Sequence, residues 1–145
     1  MRRLVAALLA AVLLTVTATE PATAHGNLVD ATNDYRLAHG RRALKTNDNL
    51  DDIAHIRARQ IARDFRHDFW WWGETNCERI GENIAYHNPA LGWPERIDWF
   101  VEAWAGSPLH DELMLSRRWW RMGAAIYVSP DGAMWGVQIY CEPRW

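Results

Sequence analysis

The sequence predicts an α/β domain in which helices cover a small, mainly antiparallel sheet. Two observations support this prediction. Three segments carry apolar residues at helical spacing, and the last third of the chain has two strand-like segments separated by a turn. The 145 residues contain no internal repeat, so the chain has room for one ordinary domain.

The first two helices each begin at a capping pattern. Asn27 and Asp30 resemble a capping box, and the apolar positions that follow predict helix one over residues 28–39. Asn49 and Asp52 repeat the signal at the start of helix two. The apolar stripe of helix two is formed by Leu50, Ile53, Ala54, Ala58, Ile61, Ala62 and Phe65.

The middle of the chain predicts a short segment followed by a third helix. Residues 81–86 could form a strand or a tight turn that enters one. Pro94 suits the first position of a helix, and the apolar spacing after it predicts helix three over residues 94–105. Gly106 and Pro108 are expected to end that helix.

The last third of the chain predicts a β-hairpin. Residues 122–128 and 133–141 are rich in residues that favour strands. The sequence Ser129-Pro130-Asp131-Gly132 between them is typical of a turn. The three helices and this hairpin together predict the α/β domain with its small, mainly antiparallel sheet.

The first 24 residues have the pattern of a secretory signal peptide. Two arginines precede an apolar run over residues 4–14, and small residues at 22–24 form a cleavage site. The run is about half the ~20 apolar residues that a membrane-spanning helix needs. We therefore predict a signal peptide over residues 1–24 and an exported mature domain over residues 25–145, with no transmembrane segment.

Charge and cysteine content narrow the classes of function. The chain has 16 Lys and Arg against 18 Asp and Glu, a net charge of −2. It therefore lacks the basic excess of a dedicated nucleic-acid binder.

In an oxidising compartment Cys77 and Cys141 should pair and close a long loop. Two separately buried thiols are the alternative.

Three titratable residues are candidates for a site, although standard catalytic signatures are absent from the sequence. His67 follows helix two, Glu82 lies in the Gly-Glu-Asn segment, and His110 follows helix three. Each of them alone is typical of a helix-capping or hydrogen-bonding core residue. The sequence also offers no positioned nucleophile that would specify a reaction.

Six motifs in one order along the chain carry a resemblance to a known family. They are Asn33-Asp34-Tyr35-Arg36, Phe65-Arg66-His67, Gly81-Glu82-Asn83-Ile84, the segment from Trp104 to His110, Met122-Gly123-Ala124-Ala125 and Trp135-Gly136-Val137-Gln138. Together they resemble the CAP superfamily (cysteine-rich secretory proteins, antigen 5, pathogenesis-related 1), specifically its short exported bacterial members, the SCP-domain proteins. The resemblance implies a three-layer α-β-α sandwich with a central antiparallel sheet.

The resemblance also implies a cleft in which two His and two Glu face one another, and where some members bind zinc or another divalent cation. His67, Glu82 and His110 fit three of the four positions, and Ser107 stands where many members have the second Glu. Two imidazoles and a carboxylate can hold zinc with water as the fourth ligand. Asp111-Glu112 could supply the missing oxygen, or these two could be solvated charges.

Three consecutive tryptophans follow His67. Neither helical nor strand spacing can bury Trp70, Trp71 and Trp72 on one side, so at least one should be exposed. The resemblance puts this loop at the rim of the cleft. The loop could be a surface that stacks on a sugar or contacts a lipid, or an aromatic plug that holds a long loop on helix two.

Three functions compete. We favour an exported domain whose cleft, with His67, Glu82, Ser107, His110 and the three tryptophans, binds a small apolar or cell-envelope ligand. The first alternative is a secreted hydrolase in which a metal on the two imidazoles activates water and Glu82 acts as general base. The second is a peptidoglycan or carbohydrate binding module that uses the tryptophan loop.

Overall fold

The computed structural model describes residues 27–88, 90 and 97–145. The predicted signal peptide lies outside the described residues and stays a prediction, and so does the predicted start of helix three at Pro94. No helix within these ranges is long and apolar enough to cross a membrane.

Four α-helices and four strands make up the described fold. In chain order they are α1 (Leu28–Ala38), β1 (Lys45–Thr46), α2 (Asp48–Ile61), a 3-10 helix (Trp70–Glu74), β2 (Cys77–His87), α3 (Asp98–Ala105), α4 (Pro108–Leu115), β3 (Arg121–Val128) and β4 (Met134–Pro143). The strands lie in the order β1-β3-β4-β2. β4 pairs antiparallel with β3 and β2, while the two-residue β1 pairs parallel with β3. The predicted hairpin and the mainly antiparallel sheet are therefore confirmed.

Helices cover both faces of the sheet, which confirms the three-layer sandwich. One core lies between α2 and the sheet and includes Leu50, Ile53, Ala54, Ala58, Ile61, Trp71, Ile84, Val137 and Ile139. The other lies between the opposite face and α1, α3 and α4, and includes Leu28, Val29, Phe100, Val101, Trp104, Met114, Trp119, Met122 and Tyr140. Burial of these side chains is the main stabilising term of the fold.

Side-chain caps fix where the first two helices begin. The Asn27 side chain accepts a hydrogen bond from the Asp30 backbone N–H, as predicted. For α2 the predicted cap at Asn49 is wrong, because Asn47 accepts from the backbone N–H of Leu50. The stripe also ends earlier than predicted, because α2 ends at Ile61 and Phe65 is exposed.

α3 ends at Ala105 with Gly106 as its C-cap, as predicted, but Pro108 then begins a helix not predicted from the sequence. Pro108 is at the start of α4, where its missing N–H would have no partner in any case, and Ser107 is the N-cap residue. His110 therefore lies on a helix rather than in a loop. Proline at the first helical position is the sequence signal of α4.

The disulfide between Cys77 and Cys141 is present, as predicted. It joins the first residue of the edge strand β2 to the central strand β4, across 64 positions of sequence. A loop of that length stabilises the fold by about 4 kcal/mol through the entropy of the unfolded chain. The bond fixes the strand that carries the Gly-Glu-Asn segment.

Candidate functional site

The Gly81-Glu82-Asn83 segment lies on β2 at one edge of the sheet, and its side chains reach both helical layers. Successive residues of a strand point to opposite faces. Glu82 therefore shares a face with Ile84, which packs in the core under α2. Asn83 points to the layer that contains α4. The edge position leaves room for both layers to meet beside β2.

Gly81 and Asn83 hold α4 against the edge strand. A Cβ at Gly81 would lie 2.8 Å from Leu113 Cδ1 and 3.0 Å from a ring carbon of Trp119, so a larger residue would force these side chains to shift. Asn83 Nδ2 donates to the backbone carbonyl of His110 at 3.2 Å and to Gln138 Oε1 at 3.0 Å. Asn83 thus sets the position of the helical turn that carries His110.

Glu82 forms a buried, bidentate ion pair with Arg57 of α2. Arg57 Nε lies 2.7 Å from Glu82 Oε2, and Arg57 Nη2 lies 3.0 Å from Oε1. The side chains are 2% and 0% exposed. Arg57 also donates to Gln60 Oε1 and to the backbone carbonyl of Arg66. The pairing satisfies both charges away from water, as a buried ion pair requires.

His67 contacts the same carboxylate from the solvent side. Its Nδ1 lies 3.0 Å from Glu82 Oε1, and its side chain is 46% exposed. Its ring lies parallel to the ring of Phe69, with centroids 6.1 Å apart. The imidazole therefore lies partly exposed above the buried Glu82 carboxylate.

His110 is half-buried on α4, and the charge of His67 affects its pKa. Burial lowers the pKa of His110, and the nearby positive charge of His67 lowers that pKa further. Both effects favour the neutral imidazole. His67 follows α2 and His110 lies on α4, so the two histidines come from different helical layers.

The other polar residues predicted near the site have different partners. Asp111 Oδ1 accepts a hydrogen bond of 2.6 Å from the Tyr35 hydroxyl, which joins α4 to α1. Burial, and to a smaller extent this interaction with Asp111, raises the pKa of Tyr35 to about 12. Glu112 lines a separate groove. Ser107 is half-buried, and its side chain makes no cap hydrogen bond to α4.

The described donor set does not fit a three-ligand metal centre. Within the described ranges, no group of three or more His, Cys, Asp or Glu side chains is arranged to hold a metal ion. Both Glu82 oxygens already accept hydrogen bonds from Arg57, and one also contacts His67. Zinc binding by His67, Glu82 and His110 stays a prediction.

The three tryptophans divide between core and surface. Trp71 is fully buried and donates to the backbone carbonyl of Asp68. Trp70 and Trp72 are 47% and 43% exposed, and their indole N–H groups donate to Gln60 Oε1 and to the Cys77 carbonyl. One ring therefore anchors the loop to α2, while two rings present accessible faces.

An apolar groove lies beside His67 along β2. It has a volume of about 330 Å³ and is lined by Phe69, Trp72, Arg79, Ile80 and Arg118. The aromatic rings come from the loop after α2, and Arg118 comes from the segment after α4. The groove therefore joins residues of the loop after α2, of β2 and of the segment after α4.

A family model describes this combination of fold and motifs. The model for the cysteine-rich secretory protein family, CAP, matches residues 29–140. The chain belongs to the CAP family. Among curated proteins no significant match to this CAP domain is found.

Solved structures of other CAP-like proteins share the fold at low sequence identity. An outer surface protein from Borrelia burgdorferi has a TM-score of 0.64 at 17% identity, over 81% of this chain and 90% of that protein. A cysteine-rich secretory protein from Staphylococcus aureus also has a TM-score of 0.64, at 19% identity, over 79% of this chain and 37% of the other. NaASP2, solved with Zn²⁺, has a TM-score of 0.62 at 13% identity, over 78% of this chain and 76% of that protein.

Sequence reasoning missed Arg57, which has the closest contacts to Glu82 in this CAP domain. Its position was a signal, because it lies in the apolar stripe of α2 beside Ala54, Ala58 and Ile61. A charged residue on a buried helix face needs a partner of opposite charge. The sequence could not say which carboxylate that partner would be.

Proposed function

We propose that this CAP domain is exported and that the cleft beside β2 binds a small apolar or cell-envelope ligand without catalysing a reaction. The observation that supports this function is the double engagement of Glu82 by Arg57 next to an open apolar groove. The extracellular and outer-surface names of structural neighbours support the proposal of export.

The state of Glu82 argues against a role as general base. A base must offer a free lone pair to the proton that it removes. Here Arg57 stabilises the carboxylate as an anion through two charge-assisted hydrogen bonds, and burial keeps water away from it. The more natural role of Glu82 is to position the His67 ring at the cleft surface.

The groove supports an apolar ligand with a polar end. Phe69, Trp72 and Ile80 offer apolar surface, while Arg79 and Arg118 stand at its border. Pockets for small ligands combine apolar walls with a few polar groups that fix orientation. Arg79 is held by Glu142 at 3.0 Å, which leaves Arg118 as the more available cation.

Native mass spectrometry of the protein from its own secreted fraction tests the proposal. We expect a co-purifying apolar mass that is lost in Trp72→Ser and kept in Trp145→Ser, which changes a tryptophan that is 87% exposed and does not line the groove. Circular dichroism checks that both variants fold. A protein that carries no ligand, or that loses it equally in both variants, would contradict the proposal.

A second candidate is binding of peptidoglycan or another carbohydrate by the tryptophan loop, which the accessible faces of Trp70 and Trp72 support. Aromatic rings stack on the apolar faces of flat ligands. We expect Trp70→Ala to reduce co-sedimentation with insoluble peptidoglycan while Trp145→Ala does not. The metal-dependent hydrolase would require Glu82 to leave Arg57, and the zinc titration described below tests it.

A further inference from the structure

Four arginines gather at the far end of α4 from His110. They line a pocket of about 220 Å³ formed by Arg36, Gly40, Arg41, Arg42 and Arg117, here called the arginine pocket. Arg36 is on α1, the next three residues belong to the turn after α1, and Arg117 follows α4. Gly40 has a φ of 66°, a left-handed conformation that lets the chain turn sharply there.

Part of the cluster has a structural role. Arg36 donates to the carbonyls of Arg42, Met114 and Ser116, while Arg41 donates to the carbonyl of Leu115. These contacts satisfy carbonyl groups at and after the C-terminus of α4, where cations are favourable. Carbonyl oxygens are neutral acceptors, so the contacts leave the positive charges uncompensated.

No carboxylate among the described residues forms an ion pair with these four guanidinium groups. An adjoining groove of about 590 Å³ shares Arg41 and Arg117 and adds Arg118. Glu112 is the single carboxylate among the described residues that line the two cavities. The region therefore has a strong local positive potential although the whole chain has a net charge of −2.

Arg36 supplies the observation that points to a ligand. Arg36 is a fully buried residue of the pocket, and no partner for its Nη2 is found among the described residues. A buried guanidinium with an unused donor is costly, because water no longer solvates it. Burial lowers the pKa of Arg36, and the charges of Arg42 and Arg41 lower that pKa further, against an opposing effect of Tyr140.

We propose that the arginine pocket binds a phosphate-type oxyanion, either a free phosphate or the phosphate of an anionic lipid headgroup. An oxyanion would accept hydrogen bonds from guanidinium forks, whose geometry matches phosphate, and would compensate the clustered charge. The pocket holds several times the ~30 Å³ of a water molecule, which gives room for such an anion. This site is separate from the cleft beside β2, so its test does not depend on the ligand proposed there.

Calorimetric titration with inorganic phosphate at constant ionic strength tests the site, with chloride as the reference anion. Arg117→Gln is the informative variant, because Arg117 is exposed, whereas the buried Arg36 side chain holds the carbonyl of Met114 and is needed for the fold. We expect the Kd for phosphate to rise about tenfold in this variant. The matched control is Arg63→Gln, an exposed arginine after α2, and it should bind as the unmodified protein does.

A second experiment distinguishes free phosphate from the phosphate of an anionic lipid headgroup. Vesicles of phosphatidylglycerol are compared with vesicles of phosphatidylcholine for the same three proteins. Binding of free phosphate that depends on Arg117 assigns the pocket to a soluble oxyanion, and Arg117-dependent binding to phosphatidylglycerol vesicles alone assigns it to a headgroup. Absence of binding in both arms, or equal loss in Arg117→Gln and Arg63→Gln, overturns the proposal.

Discussion

Arg57 and Glu82 form a bidentate ion pair, with distances of 2.7 and 3.0 Å, in which neither side chain is accessible to water. The pair joins α2 to the edge strand β2. His67 contacts the same carboxylate, so the pair also holds the acceptor of the His67 ring in place.

Removing one partner of this pair should destabilise the protein strongly. Arg57→Met leaves the Glu82 charge buried and unpaired, which we expect to lower the free energy of unfolding by about 3–5 kcal/mol. Urea denaturation measures the loss, and Arg59→Met, on the exposed face of α2, is the control. Combining Arg57→Met with Glu82→Leu should recover much of the loss. A single variant as stable as the control would contradict the prediction.

The titration of His110 should depend on His67. Burial and the His67 charge both lower the pKa of His110, so its NMR titration midpoint should lie below the ordinary value of about 6.5. His67→Gln should raise this midpoint only partly, because burial is the larger cause. An unchanged midpoint in His67→Gln, or the same rise in His55→Gln, would refute the interaction.

The lowered pKa of His110 also makes the stability of the folded protein depend on pH. The unfolded chain binds the proton of His110 more tightly than the folded one, so stability increases with pH between the folded pKa and about 6.5. Stability is lost as the pH falls through this window. Acid unfolding of His110→Asn should show a smaller pH dependence there than the unmodified protein, and an identical dependence would contradict the assignment.

Zinc binding, measured by calorimetry, should require both histidines. Because protonation removes the metal-binding lone pair, the affinity should fall between about pH 7.5 and about pH 5.5. The double variant His67→Ala with His110→Ala should lose the binding and keep the fold. Zinc uptake that survives in the double variant would place the metal elsewhere, and no uptake at either pH would remove the main support for a hydrolase.

Substitutions of the buried and of the exposed tryptophans in this loop should affect stability and binding differently. Trp71 is fully buried, so Trp71→Ala should lower the free energy of unfolding by about 3–5 kcal/mol. Trp70→Ala and Trp72→Ala should cost much less stability and instead weaken binding to lipid vesicles or envelope material. If either exposed variant were as unstable as Trp71→Ala with unchanged binding, the loop would act only as a plug.

The local patterns of the sequence were sufficient for much of the fold. Apolar periodicity identified α1, α2 and α3, and a Pro-Asp-Gly turn between strand-like segments identified the hairpin of β3 and β4. These features are visible in sequence because each depends on residues only a few positions apart. The disulfide followed from two cysteines and the expectation of export.

Two misses came from local signals that competed with one another. Pro108 can end one helix or begin the next, and only the packing of α4 against β2 through Leu113 decides between them. Asn47 and Asn49 are both suitable caps by residue type. The chain uses Asn47, and Asn49 instead donates to the Glu74 carbonyl, 25 residues away.

The sequence by itself determined that Gly81-Glu82-Asn83 and two histidines occur in the order that CAP proteins share. Only the tertiary structure decided what Glu82 does, because its partner Arg57 lies on another element 25 residues away. A buried charge must be paired, but residue spacing does not specify the partner. Packing of α2 on the sheet brings Arg57 to this carboxylate, which also accepts the contact of His67.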